Sequence, residues 1–153
     1  NAFGGGVGLA SICDVAIGVE NAWMGLTETK LGLIPATIGP YVIARMGEAA
    51  ARRVFMSARK FSAQEAQSLG LLAKTVAEDA LDRAVTAEVT PYLNCAPGAV
   101  AAAKKLARAL GPVIDAQTIE MTVTALIAQW ESPEAEEGIA AFFQKSAPSW
   151  QAR

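Results

Sequence analysis

The sequence predicts an α/β fold, and three observations carry that reading. Short, β-branched apolar runs recur through residues 1–78, bounded by glycine, proline or small polar turns. A glycine run, Gly4-Gly5-Gly6 with Gly8, opens one of the helical stretches between them. From Tyr41 onward the texture changes to mostly helical, amphipathic stretches with cap residues at their ends.

In chain order, "LASIC" after the glycines reads as one or two helical turns. "DVAIGV", residues 14–19, reads as a buried strand, and "AWMGL", residues 22–26, as a second. "TETKLGLIPATIGP" carries Gly32, Pro35, Gly39 and Pro40 and must be a shaped loop. "YVIARMG" and "EAAARRVFMSA" are helical, divided near Gly47. Ser62 and Glu65 form a Ser-x-x-Glu capping box for the next helix, and Gly70 suits its C-terminal end. "LLAKTVA" is one more strand, and a helix is expected from Asp79 to about Asn94. Pro97 suits the first position of the following helix, which Gly111 ends. Residues 113–131 predict a long amphipathic helix with Ile119, Val123, Leu126, Ile127 and Trp130 on one stripe. Ser132-Pro133 restarts the chain. Glu134, Glu136 and Glu137 then complement the helix dipole.

Composition narrows the function. Apolar residues make up 52% of the 153, ample for a core in one domain or part of a larger one. The net charge of −2, with no basic tract longer than two residues, argues against a nucleic-acid surface. There is no histidine, and Cys13 and Cys95 have no metal-ligand spacing. Ser-His, Cys-His and most zinc chemistry are thereby excluded within these residues, and no metal is expected. One disulfide is open to the two cysteines; free or buried thiols in a reducing, cytoplasmic setting are the expectation. Residues 2–19 are the most apolar stretch, but five glycines and Asp14 make them a poor membrane span. The chain opens on Asn1 without the charged start of a signal peptide, and Asn1 reads as an internal residue of a longer protein.

Each glycine costs a helix roughly 1 kcal/mol. A run of them at a helix start has a use, because unpaired N–H groups converge there and the dipole is positive. Without Cβ atoms, a ligand oxygen can reach those groups. That suits a phosphate cradle or an oxyanion hole. A P-loop wants Lys-Ser or Lys-Thr after the glycines, and "GGGVGLAS" has neither. The spacing also misses the dinucleotide fingerprint. Close packing without any ligand stands beside these uses. Glu28 is the second observation, as the one acid in an apolar stretch. A carboxyl group in such a setting can carry protons near neutral pH. An exposed Glu28 paired with Lys30 is the plainer alternative.

The run from Ala2 to Gly47 resembles the crotonase (enoyl-CoA hydratase/isomerase) superfamily. Gly4-Gly5-Gly6, Cys13-Asp14 before a strand, and "MGLTETKLGLIP" carry the resemblance. "FSAQEAQSLGLLAKTV", residues 61–76, and "EGIAAFFQKSAPSW", residues 137–150, are similar to later family segments. "KLGLIPATIGPYV" most resembles the methylglutaconyl-CoA and isohexenylglutaconyl-CoA hydratase branch. The resemblance implies that residues 1–78 are the last part of a β-β-α spiral carrying half of an active site. Residues 79–153 would then be a helical trimerisation region. It implies an acyl-CoA enzyme that adds water to a 2-enoyl-CoA through an enolate held by two backbone N–H groups. One donor would be Gly5, with Gly4 and Gly8 on the substrate-binding surface. Coenzyme A would enter as part of the substrate, with no separate cofactor. A homotrimer or dimer of trimers would be the assembly.

Two departures qualify this. The family's first catalytic glutamate position holds Gly8; the second holds Glu28. A two-carboxylate mechanism cannot be written, so Glu28 acts alone or with water held by groups such as the Ala36 N–H. A single glutamate also suits double-bond isomerisation. The second oxyanion donor and most of the CoA surface belong to an earlier half of the family fold, so these residues alone are not expected to be active. A non-catalytic oligomerising fragment is the alternative from another class.

Overall fold

β1 (Ala2–Phe3) runs into Gly4, which turns the backbone through φ +49° into α1 (Gly5–Ile12). The computed structural model describes residues 1–151. β2 (Ile17–Val19) and β3 (Trp23–Gly25) follow, and a 3-10 turn spans Glu28–Leu31. α2 (Gly39–Met46) and α3 (Glu48–Phe55) are divided at Gly47, as expected. β4 (Lys60–Ser62), α4 (Ala63–Ser68) and β5 (Lys74–Val76) complete the mixed half.

The strands form two small sheets. β3 lies between β1, to which it is parallel, and β4, to which it is antiparallel, pairing Met24 with Phe61. β2 pairs in parallel with β5, Gly18 opposite Thr75. Beneath them Val7, Leu26, Val42, Val54, Phe61 and Leu71 are fully buried and join α1, α2, α3 and the sheets in one core. The sequence reading missed β1 and β4. With two and three residues they carry no periodicity of their own and exist through their pairing with β3.

Ser62 caps α4 by accepting the Glu65 N–H at 3.1 Å. The reciprocal half of the box is absent, because Arg59 takes both oxygens of Glu65, at 2.8 and 2.6 Å. Burial works against the charge there, but the Arg59 hydrogen bonds outweigh it and hold the Glu65 carboxyl below the usual range.

The helical half begins with a 3-10 turn (Glu78–Ala80), α5 (Leu81–Val89) and a second 3-10 turn (Thr90–Asn94) where Pro91 interrupts the expected single helix. α6 (Pro97–Ala109) starts on Pro97. α7 (Ala116–Trp130) starts three residues later than read, because Asp115 caps it through the Thr118 N–H at 2.9 Å. α8 (Pro133–Gln144) is capped by Ser132. Of its three acids, Glu134 and Glu136 face the dipole, while Glu137 accepts from the Ser149 N–H and hydroxyl. Positions 152–153 of the expected helical region lie outside the described residues.

No side chain in α5, α6 or α7 is buried. Ile119, Val123, Ile127 and Trp130 of the expected stripe are exposed, as are Phe142 and Phe143. Cys13 and Cys95 are free thiols and both exposed rather than buried. Among the described residues no helix is long and apolar enough to cross a membrane.

Candidate active site

Gly4 is the hinge of the site. Its N–H donates to the Gly25 carbonyl at 2.9 Å, and its own carbonyl accepts from Val7 and Gly8. The first N–H groups of α1, those of Gly5 and Gly6, therefore have no carbonyl partner within the helix. Gly5 is exposed, and a Cβ built there would meet nothing within 4 Å. Packing therefore does not demand glycine at that position. The far end of α1 is pinned by Arg45, which donates to the carbonyls of Ser11 at 3.2 Å and Asp14 at 3.3 Å. A cation at a helix C-terminus is favourable.

Glu28 meets this helix start. A Cβ on Gly4 would lie 3.3 Å from Glu28 Oε1. The side chain is half-buried, and its Oε2 is buried without a hydrogen-bond partner among the described residues. The plainer alternative of an ion pair with Lys30 is not what forms; Lys30 is in no salt bridge among the described residues. A buried carboxylate oxygen without a partner costs roughly 1–3 kcal/mol. An aligned helix start with two free donors and a carboxylate beside it can hold an oxyanion and move a proton at the neighbouring carbon.

Two expectations from the sequence need correction. Gly8 leaves no open space: a Cβ there would stand 2.5 Å from Cγ2 of Ile38 and 3.0 Å from its Cβ. Gly8 is buried, and its lack of a side chain lets Ile38 lie directly on α1. The N–H of Ala36 is not free to hold water either, since it donates to the Ile34 carbonyl at 2.8 Å. Ala36 instead lines an apolar cleft of about 550 Å³ with Thr29, Ile34, Ile43, Val113 and Met121. Ile38 and this cleft were missed by the sequence reading, because the loop 32–40 gave no signal of what its apolar side chains touch. A second cleft of about 660 Å³, lined by Tyr41, Arg45, Tyr92, Lys104 and Arg108, is larger but lies at the other end of α1. An eight-residue helix separates it from Gly4 by about 12 Å.

The fold and this pairing define an α/β protein with a carboxylate set beside an open, glycine-built helix start. The enoyl-CoA hydratase/isomerase family model matches residues 1–153, and the chain belongs to that family. It is 42% identical over 109 residues to the enoyl-CoA hydratase ACTT6 of Alternaria alternata, covering 70% of this chain and 36% of that one. It is 31% identical over 157 residues to a carnitinyl-CoA dehydratase of Salmonella typhi, covering 99% and 60%. Among solved structures, a carnitinyl-CoA dehydratase from Mycobacterium avium 104 superposes with a TM-score of 0.84 at 31% identity, covering 99% of this chain and 61% of that one. The chain thus spans less than two thirds of the length of the relatives it matches.

Proposed function

We propose that the chain is the C-terminal part of an enoyl-CoA hydratase, in which Glu28 is the sole proton carrier and the Gly5 N–H one of two oxyanion donors. The observation that carries this reading is the unpartnered Oε2 of Glu28 beside the free helix start at Gly4–Gly5. The thioester oxygen of a 2-enoyl-CoA accepts from Gly5, which lowers the cost of charge on that oxygen by about 3 kcal/mol. As the hydroxyl of a water adds to Cβ, the water's second proton passes to the Glu28 carboxylate. Glu28 then returns a proton to Cα, so the carboxylate ends as it began. The apolar cleft that starts at Thr29 suits an acyl chain. A dicarboxylic, glutaconyl-type substrate is the finer form of this reading, and Gly8 and Ile38 favour it only by keeping a second negative charge away. No cofactor is needed beyond the coenzyme A of the substrate. The exposed stripe of α7 and the Phe142–Phe143 pair of α8 favour a trimer or a dimer of trimers.

A second reading rests on the same Gly8–Ile38 contact. With one carboxylate, Glu28 can take a proton from Cα of a 3-enoyl-CoA and return it to Cγ, moving the double bond without water. The test is Glu28→Gln in the full-length protein. Turnover should fall by at least ~100-fold while acyl-CoA binding persists. Near wild-type turnover removes Glu28 from the chemistry, and the product formed from 2-enoyl or 3-enoyl thioesters separates hydration from isomerisation.

A further inference from the structure

The turn that carries Glu28 buries none of its own side chains. Its carboxylate has no anchoring hydrogen bond on Oε2. Its position is therefore set by the turn's backbone, and that backbone is gripped from the helical half. Gln129, near the end of α7, donates through Nε2 to the Gly32 carbonyl at 2.7 Å, across 97 residues of chain. Gly32 closes the turn at φ +69°, and a Cβ there would overlap the carbonyl of Glu134 at the start of α8. One helical turn on, a Cβ at Gly138 would stand 2.5 Å from the Leu31 carbonyl carbon and 2.6 Å from its oxygen. Two glycines, one on each element, let α8 lie backbone to backbone on the turn. Gln129 also reaches Ser132 at 3.4 Å, the residue that caps α8, so one side chain ties the α7–α8 corner to the turn.

We propose that the α7–α8 corner, through Gln129 and Gly138, is a brace that positions the Glu28 carboxylate against the start of α1. The proposal rests on the reading of Glu28 as the proton carrier. Gln129 and Gly138 are positioning residues; the side-chain hydrogen bonds of Gln129 go to Gly32 and Ser132. The helical half thus bears, from within the same chain, on the turn that carries Glu28.

The experiment uses the full-length protein and a saturated thioester, butanoyl-CoA, in D2O. Exchange of its Cα proton reports the reach of Glu28 without committing to hydration or isomerisation. Gln129→Ala and Gly138→Ala should each slow exchange and turnover by at least about tenfold, because small misplacements of a catalytic group are costly. KM should stay within about twofold, since the loss falls on the chemical step. Gln129→Ala should stay folded with wild-type oligomer size, its melting temperature lowered only by the loss of one hydrogen bond. If Gly138→Ala does not fold, Gln129→Ala decides alone. Wild-type exchange rates in a folded Gln129→Ala overturn the brace while leaving Glu28 in place. Absent exchange in wild type, or undiminished exchange in Glu28→Gln, overturns both and identifies the Glu28 reading as the failure.

Discussion

Gly4 and Glu28 meet across 24 residues of chain so closely that a Cβ on Gly4 would stand 3.3 Å from Glu28 Oε1. The glycine meets two demands at once, a positive φ of +49° and room for the carboxylate. Gly4→Ala should therefore cost about 1–3 kcal/mol of stability, the scale of a residue held in a sparsely populated backbone region. It should also displace Glu28 from the helix start, so turnover should fall further than the stability loss explains. Thermal melting and turnover, measured below the melting transition, separate the two effects.

Gly8 and Ile38 should behave as a coupled pair. Gly8→Ala places a methyl against Ile38 Cγ2 and should destabilise by about 1–3 kcal/mol, as overpacked cores do. In an Ile38→Ala background the same change should cost far less, giving a coupling of roughly 0.5–3 kcal/mol in a double-mutant cycle. Additive changes in denaturation midpoint would show that the two side-chain positions do not share space. Gly8→Glu alone should be worse than Gly8→Ala and should not act as a second catalytic carboxylate.

Arg59 and Glu65 form a bidentate pair whose worth depends on pH. The side chains are 37% and 30% exposed, so the pair contributes no more than about 1 kcal/mol. Glu65 titrates below its ordinary value when folded, chiefly because of the Arg59 hydrogen bonds. The contribution is thus full above the unfolded Glu value of about 4.3 and is lost as pH falls through the lower folded value. Arg59→Ala should lower the urea midpoint at neutral pH and lose that effect in strong acid. A difference that persists there would belong instead to the guanidinium packed 6.0 Å over the Phe61 ring.

The full-length protein should form trimers or hexamers by light scattering. Ile119, Val123, Ile127 and Trp130 are 45%, 43%, 51% and 57% exposed and form an apolar stripe along one helix, the kind of surface that marks an interface. A stable monomer at micromolar concentration would show that this stripe is covered in some other way. Val123→Glu should weaken the assembly while leaving α7 helical, because none of its side chains belongs to the chain's own core.

Local chemistry alone determined much of this protein. The starts of α4, α6 and α8 at Ser62, Pro97 and Ser132 were legible because a cap acts within a few residues of its own position. The break at Gly47 and the glycine-opened helix at Gly5 were legible for the same reason. Glu28 stood out as a charge where the pattern is apolar, but the pattern left open whether it pairs with Lys30. Tertiary structure decided what each of these touches. Whether Gly8 is a vacancy or a seat for Ile38, and whether the Ala36 N–H is free, depend on how the loop 32–40 folds back. β1 and β4 likewise exist only because β3 lies between them. The grip of Gln129 on Gly32 spans 97 residues and turns on a backbone carbonyl, which every residue has. A sequence specifies side chains, and contacts made to backbone atoms become visible only when the chain has brought them together.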